Sequence, residues 1–178
     1  MPGRRNIVVW LEGMPETVTD KIHWLENSGY QVMDIATAVK LKSLLSKHSE
    51  DVAVIITGRV LYAIKNLDYI DISDALTGRG FNAGFVVIDR FLRAEGSPYA
   101  KIPVLMVATT WNLFSSYQSA MMNDFRCRRG HGPIAGMEKG SRESFQKFKE
   151  MFKDMVNFWN TLPAWEDLPS PGDFLPTE

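Results

Sequence analysis

The chain lacks several features that define large classes of proteins. It carries one cysteine in 178 residues, so no disulfide can form within it. No uninterrupted apolar run approaches the ~20 residues that a membrane-spanning helix needs, and the beginning of the sequence has no apolar core of a secretion signal. A formal net charge of −1 gives no overall field to attract nucleic acid or an anionic membrane. These absences favour a cytoplasmic protein that binds neither nucleic acid nor membrane.

The sequence does contain enough apolar material for a packed core. Apolar residues make up 45% of the chain and aromatic residues 11%, and the length suits about one domain. Three short continuous apolar runs, Ile7–Leu11, Val52–Ile56 and Val104–Ala108, are typical of strands buried on both faces. Tyr30–Ile35 predicts a further strand.

Stretches with a helical spacing of apolar residues separate these runs. They predict helices over Glu16–Ser28, with Gly29 as a C-terminal cap, over Ala38–Lys47, over Phe85–Ala94 and over 142–160. Strands that alternate with helices of this length form βαβ units, whose strands are parallel. The sequence therefore predicts a doubly wound α/β domain with helices on both faces of a parallel sheet.

Two segments depart from this rhythm. Residues 57–83 combine aspartates and tyrosines with a glycine-rich stretch, and we interpret them as an elaborated connection with one short helix. Residues 162–178 hold four prolines in an acidic stretch, which predicts a tail without regular structure whose apolar side chains pack back on the domain. The domain itself is assigned to residues 1–161. Its last helix is expected to turn these side chains inward: Phe145, Phe148, Phe152, Met155, Val156 and Trp159.

Five segments in order resemble the receiver domain of bacterial response regulators. They are Leu25–Val32, Asp51–Ile56, Phe91–Ala94, Ile102–Ala108 and Gly132–Gly140. The first resembles the end of the family's first helix and the start of its second strand, and the second resembles its third strand. The third resembles the end of the family's third helix. The last two resemble its fourth strand and its fifth strand with the following lysine. The resemblance covers about residues 6–160. It implies a flavodoxin-like, five-stranded parallel sheet flanked by five helices.

The resemblance also implies where a phosphorylation site would stand. In receiver domains the working groups follow the carboxyl ends of the strands, where open α/β sheets place their sites. An acidic pair after strand 1 binds Mg²⁺, and an aspartate at the end of strand 3 accepts the phosphoryl group. A serine or threonine ends strand 4, and a lysine at the end of strand 5 offsets the phosphoryl charge.

The corresponding positions of this chain are, in order, Glu12, Gly13, Ile56, Ala108 and Lys139. Gly13 offers no metal ligand, and the hydrocarbon of Ile56 can neither attack phosphorus nor hold a metal. A shift of one residue would bring Thr57 and Thr109 to the acceptor and hydroxyl positions, but an unactivated threonine does not replace a carboxylate. We therefore expect a pseudo-receiver with no catalytic residue, cofactor or metal. In it, Glu12 and Lys139 either pair directly or are separately solvated.

Other polar groups admit a functional and a structural interpretation. Asp68, Asp71 and Asp74 have the spacing of a remodelled metal site and equally that of a solvated helical face. Cys127 lies among arginines, which favours a reactive thiolate, but no matching acid or oxyanion site accompanies it. The stretch Thr77–Gly84 lacks the Gly-Lys-Ser/Thr ending of a phosphate loop, so we interpret it as a flexible connection. The three histidines lack the paired spacing of a metal site and are expected at the surface.

The function that the sequence favours is regulatory and not enzymatic. A stand-alone receiver-like module without a DNA-binding output domain would act in signal transduction by binding a separate protein. The resemblance implies that the receiver-type surfaces would serve this binding, including the fourth helix, fifth strand and fifth helix by which the family commonly dimerises, so a homodimer is a further expectation. The alternative is a small flavodoxin-like enzyme or ligand-binding domain whose pocket is formed by the carboxyl ends of the strands and the 57–83 insertion. For that alternative, no pair of nucleophile and base can be named.

Overall fold

The computed structural model describes residues 5–11, 18–58, 61, 66–77, 82–108, 131–138 and 142–166. The strands are β1 (Ile7–Leu11), β2 (Gln31–Asp34), β3 (Val52–Gly58), β4 (Val104–Ala108) and β5 (Ile134–Glu138). The helices are α1 (Thr19–Asn27), α2 (Ala38–His48), α3 (Asp74–Thr77), α4 (Ala83–Val87) and α5 (Arg142–Glu166). Helix α4 continues as a π-helical turn over Ile88–Leu92.

The five strands form one sheet in the order β2-β1-β3-β4-β5, and every neighbouring pair is parallel. The chain moves outward from β1 to β2, returns across β1 to β3, and then continues in one direction to β5. This is the strand order of the flavodoxin-like α/β fold. The parallel sheet and the fold class predicted from the alternation of apolar runs and amphipathic stretches are confirmed.

The sheet is covered by two separate apolar clusters. Val9 belongs to one cluster with buried residues of α2 and α4, including Leu41. Its neighbour Val8 belongs to the other cluster, with Leu25 of α1 and Phe148 of α5. Because successive residues of a strand point to opposite faces, the two clusters lie on opposite sides of the sheet. This accounts for the continuous apolar runs of β1, β3 and β4, whose residues are all buried.

Two helix boundaries follow from local chemistry. Gly29 has φ +88°, a backbone conformation that glycine adopts without steric cost, and its N–H donates to the carbonyl of Glu26 at 3.0 Å. The predicted C-terminal cap of the first helix is therefore confirmed. At the start of α2, the Thr37 hydroxyl accepts a hydrogen bond from the N–H of Lys40 at 3.2 Å, which is the usual N-cap arrangement.

The 57–83 insertion begins two residues later than the sequence indicated, because β3 runs through Gly58. Its described parts contain a 3-10 turn over Leu67–Ile70 and the short helix α3. Four apolar side chains of the insertion are buried in the cluster that contains α2: Leu61, Leu67, Ile70 and Ile72. The insertion thus completes the core on that side of the sheet.

The last helix is longer than predicted. Its inward face is confirmed by the burial of Phe148, Phe152 and Met155, and Phe158 joins them as a buried residue that was not predicted. The expectation that regular structure is absent from residue 162 onward is wrong for 162–166, because α5 continues to Glu166. Pro163 lacks the N–H that would close one helical hydrogen bond, but the helix continues past it for three residues. Residues 167–178 lie outside the described residues.

The amino ends of β4 and β5 are joined by a buried arginine. Arg93 is 0% exposed, and its guanidinium donates to the carbonyls of Ile102 at 2.6 Å, Tyr99 at 3.2 Å and Gly132 at 3.4 Å. Gly132 also donates its N–H to the carbonyl of Ala100 at 2.8 Å. A Cβ at position 132 would collide with the backbone of Lys101, so this close approach requires glycine.

A second junction at the same edge connects the beginning of β1 with α5. The Arg5 guanidinium lies 3.7 Å above the ring of Trp159, donates to the carbonyl of Ser49 at 3.2 Å, and pairs with Glu50 at 3.0 Å. The indole N–H of Trp159 donates to the carbonyl of Ala53 at 2.8 Å. These contacts hold the second half of α5 against the start of β3.

Candidate functional site

The carboxyl ends of the strands are the place where this fold puts binding and catalytic groups. The strands end at Leu11, Asp34, Gly58, Ala108 and Glu138, and all five ends lie at one edge because the sheet is parallel. The direction in which successive strands are added to the sheet reverses between β1 and β3, so the crevice between these two strands is the expected site.

Three of the seven predicted site residues belong to the described part of the chain: Ile56, Thr57 and Ala108. Glu12, Gly13, Thr109 and Lys139 lie outside the described residues. The pairing of Glu12 with Lys139 therefore stays a prediction.

Ile56 lies within β3 and not at its end. It is opposite Trp10 on one side and Leu105 on the other, and two further residues of the strand follow it. Its side chain is 0% exposed and belongs to the apolar cluster that includes Val107 and Phe148. At this position the apolar side chain of Ile56 packs against other apolar side chains.

Thr57 is the residue level with Leu11, the last residue of β1. It is also 0% exposed, and its hydroxyl donates to the carbonyl of the next residue, Gly58, at 3.0 Å. The hydroxyl is therefore engaged with its own backbone and hidden from solvent. Ala108, the last residue of β4, is 3% exposed and has no polar side-chain atom.

Together these side chains give the described crevice no reactive group. A nucleophile needs a lone pair that reaches the substrate and a neighbour that activates it, and the ends of β1, β3 and β4 offer neither among their described side chains. The indole N–H of Trp10 is buried and has no hydrogen-bond partner in the described part of the chain. A ring N–H can only donate, so it supplies no nucleophile either.

Lys21 is a charged residue near this edge that sequence reasoning missed. It lies in the first turns of α1, its side chain is 5% exposed, and its Nζ is 3.4 Å from Oδ1 of Asp20. The Nζ also lies 5.8 Å from the ring centroid of Phe145, and Lys149 approaches the same ring at 4.4 Å. A signal was present, since Lys21 follows Val18 by three residues and precedes Leu25 by four, on the face that α1 buries.

The described residues show no arrangement that supports the alternative metal and thiol sites. Asp68 and Asp71 are exposed, and the side chain of Asp74 is not described. Among the described residues there is no group of three or more side chains able to hold a metal ion. Cys127 and its neighbouring arginines lie outside the described residues.

The glycine-rich stretch and the histidines have mixed outcomes. Thr77 is buried, and its carbonyl accepts from the N–H of Asn82 at 2.9 Å, whereas residues 78–81 lie outside the described part of the chain. His23 and His48 are exposed as predicted. His131 is partly exposed and lies next to Gly132, whose carbonyl accepts a hydrogen bond from Arg93.

Comparison with known proteins adds no further assignment. No protein-family model, curated protein sequence or solved structure matches this chain. Among the described residues, no helix combines the length and the apolar character needed to cross a bilayer.

Proposed function

We propose that the protein is a phosphorylation-independent pseudo-receiver that acts in signal transduction by binding another protein. It has no catalytic residue and needs no cofactor, and we place its action in the cytoplasm. The fold supports the receiver-like architecture, because the strand order is that of the flavodoxin-like class to which receivers belong. The observation that carries the proposal is the full burial of the Ile56 hydrocarbon, which stands at the position that the resemblance assigns to the phosphoryl acceptor.

The physical argument concerns what this position can hold. The phosphoryl acceptor of a receiver domain is a carboxylate oxygen that meets both the donor and a divalent cation. Ile56 has no oxygen, and its surroundings in the cluster with Val107 and Phe148 are apolar. An ionised carboxylate placed there would lose its hydration without gaining a described partner, which is strongly unfavourable.

The neighbouring threonine does not repair the loss. Thr57 is 0% exposed and its hydroxyl already donates to Gly58. No described base lies within hydrogen-bond reach of it, so the hydroxyl lacks the activation that a nucleophilic threonine requires. A domain that keeps the receiver architecture without this chemistry retains its surfaces for contact with other proteins.

The test is a phosphodonor reaction on the intact chain. Acetyl phosphate and Mg²⁺ are added, and the intact mass is measured with and without an acid step that releases acyl phosphates. We expect no acid-labile adduct, whereas a competent receiver domain in the same reaction gains one phosphoryl group. An adduct on this chain that depends on Mg²⁺ would overturn the proposal.

A further inference from the structure

An open groove of about 500 Å³ runs between the edge strand β2 and helix α2, away from the carboxyl ends of the central strands. Its walls include four apolar side chains, Met33, Ile35, Val39 and Leu44, together with the cations Lys40 and Lys47. Val39 is 37% exposed and is one of two large apolar side chains left exposed among the described residues. The groove therefore presents apolar surface to solvent between a strand and a helix.

The strand that forms one wall has an open edge. β2 pairs with β1 alone, and in the described part of the chain no strand lies on its other side. The N–H of Gln31 donates to Asn6 and the N–H of Ile35 donates to Trp10, both on the β1 side. Because successive residues of a parallel strand direct their backbone groups to opposite edges, Val32 presents its N–H and C=O outward. An added strand would find both a donor and an acceptor there.

The charge of the groove specifies the occupant. Lys40 and Lys47 lie two helical turns apart on α2, at the rim of the groove. His48 at the far end lies 3.3 Å from Asp51, which offsets its charge when the ring is protonated. Asp34 is the one acid in the lining, so cations outnumber acids. An acidic segment gains from both lysines, and a basic one is repelled.

Two other occupants fit less well. A second copy of this chain paired along β2 would bring Lys40 and Lys47 of both copies together, which like-charge repulsion opposes. The chain's own residues 167–178 are acidic, but they carry three prolines, and each proline lacks the N–H that pairing with a strand edge requires.

We propose that this groove binds an extended, acidic segment of a partner protein, which adds to the sheet beside β2 and places alternate apolar side chains against Val39 and Leu44. The inference rests on the proposed function, because it supplies the surface and the chemistry of the partner that a pseudo-receiver needs. The backbone pairing would hold the segment extended along β2, the apolar wall selects alternate residues, and the lysines select for carboxylates.

The test uses the full chain and a fluorescein-labelled synthetic peptide of about eight residues in which valine alternates with aspartate. Binding is followed by fluorescence anisotropy. We expect saturable binding that weakens as salt is added, since the rim charges are exposed. The double variant Lys40→Glu with Lys47→Glu should weaken binding by about tenfold or more. The control pair Lys42→Glu with Lys147→Glu makes the same change of net charge outside the groove and should stay within about twofold.

Two altered peptides test the mode of binding. A peptide with lysine in place of aspartate should not bind, and a peptide with proline at its centre should bind at least about tenfold more weakly. The inference would be overturned if the valine–aspartate peptide does not bind, or if the lysine or the proline peptide binds as tightly as it does. Equal weakening in both double variants would also overturn it.

The other occupants are distinguished in the same assay. If the full chain with Asp167→Asn, Asp173→Asn and Glu178→Gln binds the peptide more tightly than the unaltered chain, its own end occupies the groove and the inference is wrong. Dimerisation that becomes stronger when Lys40 and Lys47 are replaced by alanine would assign the groove to a second copy and would also overturn the inference. A phosphoryl adduct on a chain that still binds the peptide would overturn the proposed function but not the peptide-binding groove. The two failures can therefore be distinguished.

Discussion

The two edges of the sheet use polar side chains in different ways. At the amino edge, Arg93 and Arg5 donate to backbone carbonyls of segments that are distant in sequence, and Trp159 does the same for Ala53. At the carboxyl edge, where the fold would place its chemistry, the described ends of the central strands hold Leu11, Thr57 and Ala108, and the one hydroxyl is satisfied by the next residue. The comparison teaches that, among the described residues, side-chain hydrogen bonds connect separate segments at the amino edge, whereas the one at the ends of the central strands, that of Thr57, stays within its own strand.

The largest effect is expected from placing a carboxylate at the apolar position of the carboxyl edge. Ile56→Asp should lower the free energy of unfolding by about 5 kcal/mol or prevent folding, because the acid would be buried without a partner. Ile56→Val, the control that removes one methylene, should cost about 1 kcal/mol. Urea unfolding followed by circular dichroism measures both. An Ile56→Asp protein as stable as the control would mean that the crevice accommodates an acid, and the contrast between the edges would fail.

The amino edge should depend on its buried guanidinium. Arg93→Met keeps much of the apolar stem but leaves the carbonyls of Tyr99, Ile102 and Gly132 without this donor, so we expect a loss of about 3–5 kcal/mol. Arg90→Met is the matched control, since the side chain of Arg90 is 63% exposed and pairs only with its neighbour Asp89 at 3.2 Å in the described contacts. It should change stability by less than about 0.5 kcal/mol. Similar losses in both variants would contradict a structural role for Arg93.

The close approach at Gly132 should be sensitive to a single methyl group. Gly132→Ala forces a Cβ against the backbone of Lys101, and the required shift should cost about 3 kcal/mol. Gly29→Ala meets no neighbouring atom but has φ +88°, so it should cost only about 1 kcal/mol. Thermal unfolding of the two variants side by side gives the order. If Gly29→Ala proves the more damaging, steric contact is not what requires glycine at position 132.

The junction between α5 and β3 should contribute less than the arginine. Trp159→Phe removes the N–H that donates to Ala53 while an aromatic ring remains above Arg5, and we expect a loss of about 1.5 kcal/mol. Arg5→Met, which removes the cation from the exposed pair with Glu50 and from the ring, should cost about 1 kcal/mol. Both are measured by urea unfolding. No change in the tryptophan variant would show that the junction is formed by packing alone.

The smallest effect is expected at the hydroxyl of the carboxyl edge. Thr57→Val replaces it with a methyl group of similar size, and because the hydroxyl bonds only to the adjacent carbonyl, we expect a loss of about 0.5 kcal/mol. The intact mass after treatment with acetyl phosphate should match that of the unaltered chain. A loss above about 2 kcal/mol would show that Thr57 holds the crevice together as Arg93 holds the other edge.

The parts of the fold that the sequence predicts are those governed by local pattern. β1, β3 and β4 are continuous apolar runs, and α5 repeats its aromatic residues at helical spacing, so their existence and type follow from periodicity. The end of α5 does not follow from periodicity. The prolines after residue 161 predicted that the helix stops there, whereas its backbone hydrogen bonds continue to Glu166.

Buried charge is what sequence reasoning misses. Arg93 gives no local signal, because its acceptors lie six to thirty-nine residues away in the chain and only the tertiary structure brings them together. A charged side chain is expected at the surface unless its partners are known. The candidate site was predicted from positions that correspond to the receiver-domain site, and not from reactive side chains in this sequence. The structure therefore locates Ile56, Thr57 and Ala108, while the remaining positions stay predictions.

The order of elements along the chain has a consequence for synthesis on the ribosome. Helix α5 is translated after all the other described elements, yet it supplies Phe148, Phe152 and Met155 to the cluster that covers Trp10, Val54 and Leu105. Until those residues emerge, the nascent protein carries all five strands, but α5 is missing from one apolar face of the sheet, which among the described helices only α1 then helps to cover. Chaperones recognise exposed apolar surfaces, and slow elongation through α5 would lengthen the period in which the unfinished molecule can aggregate.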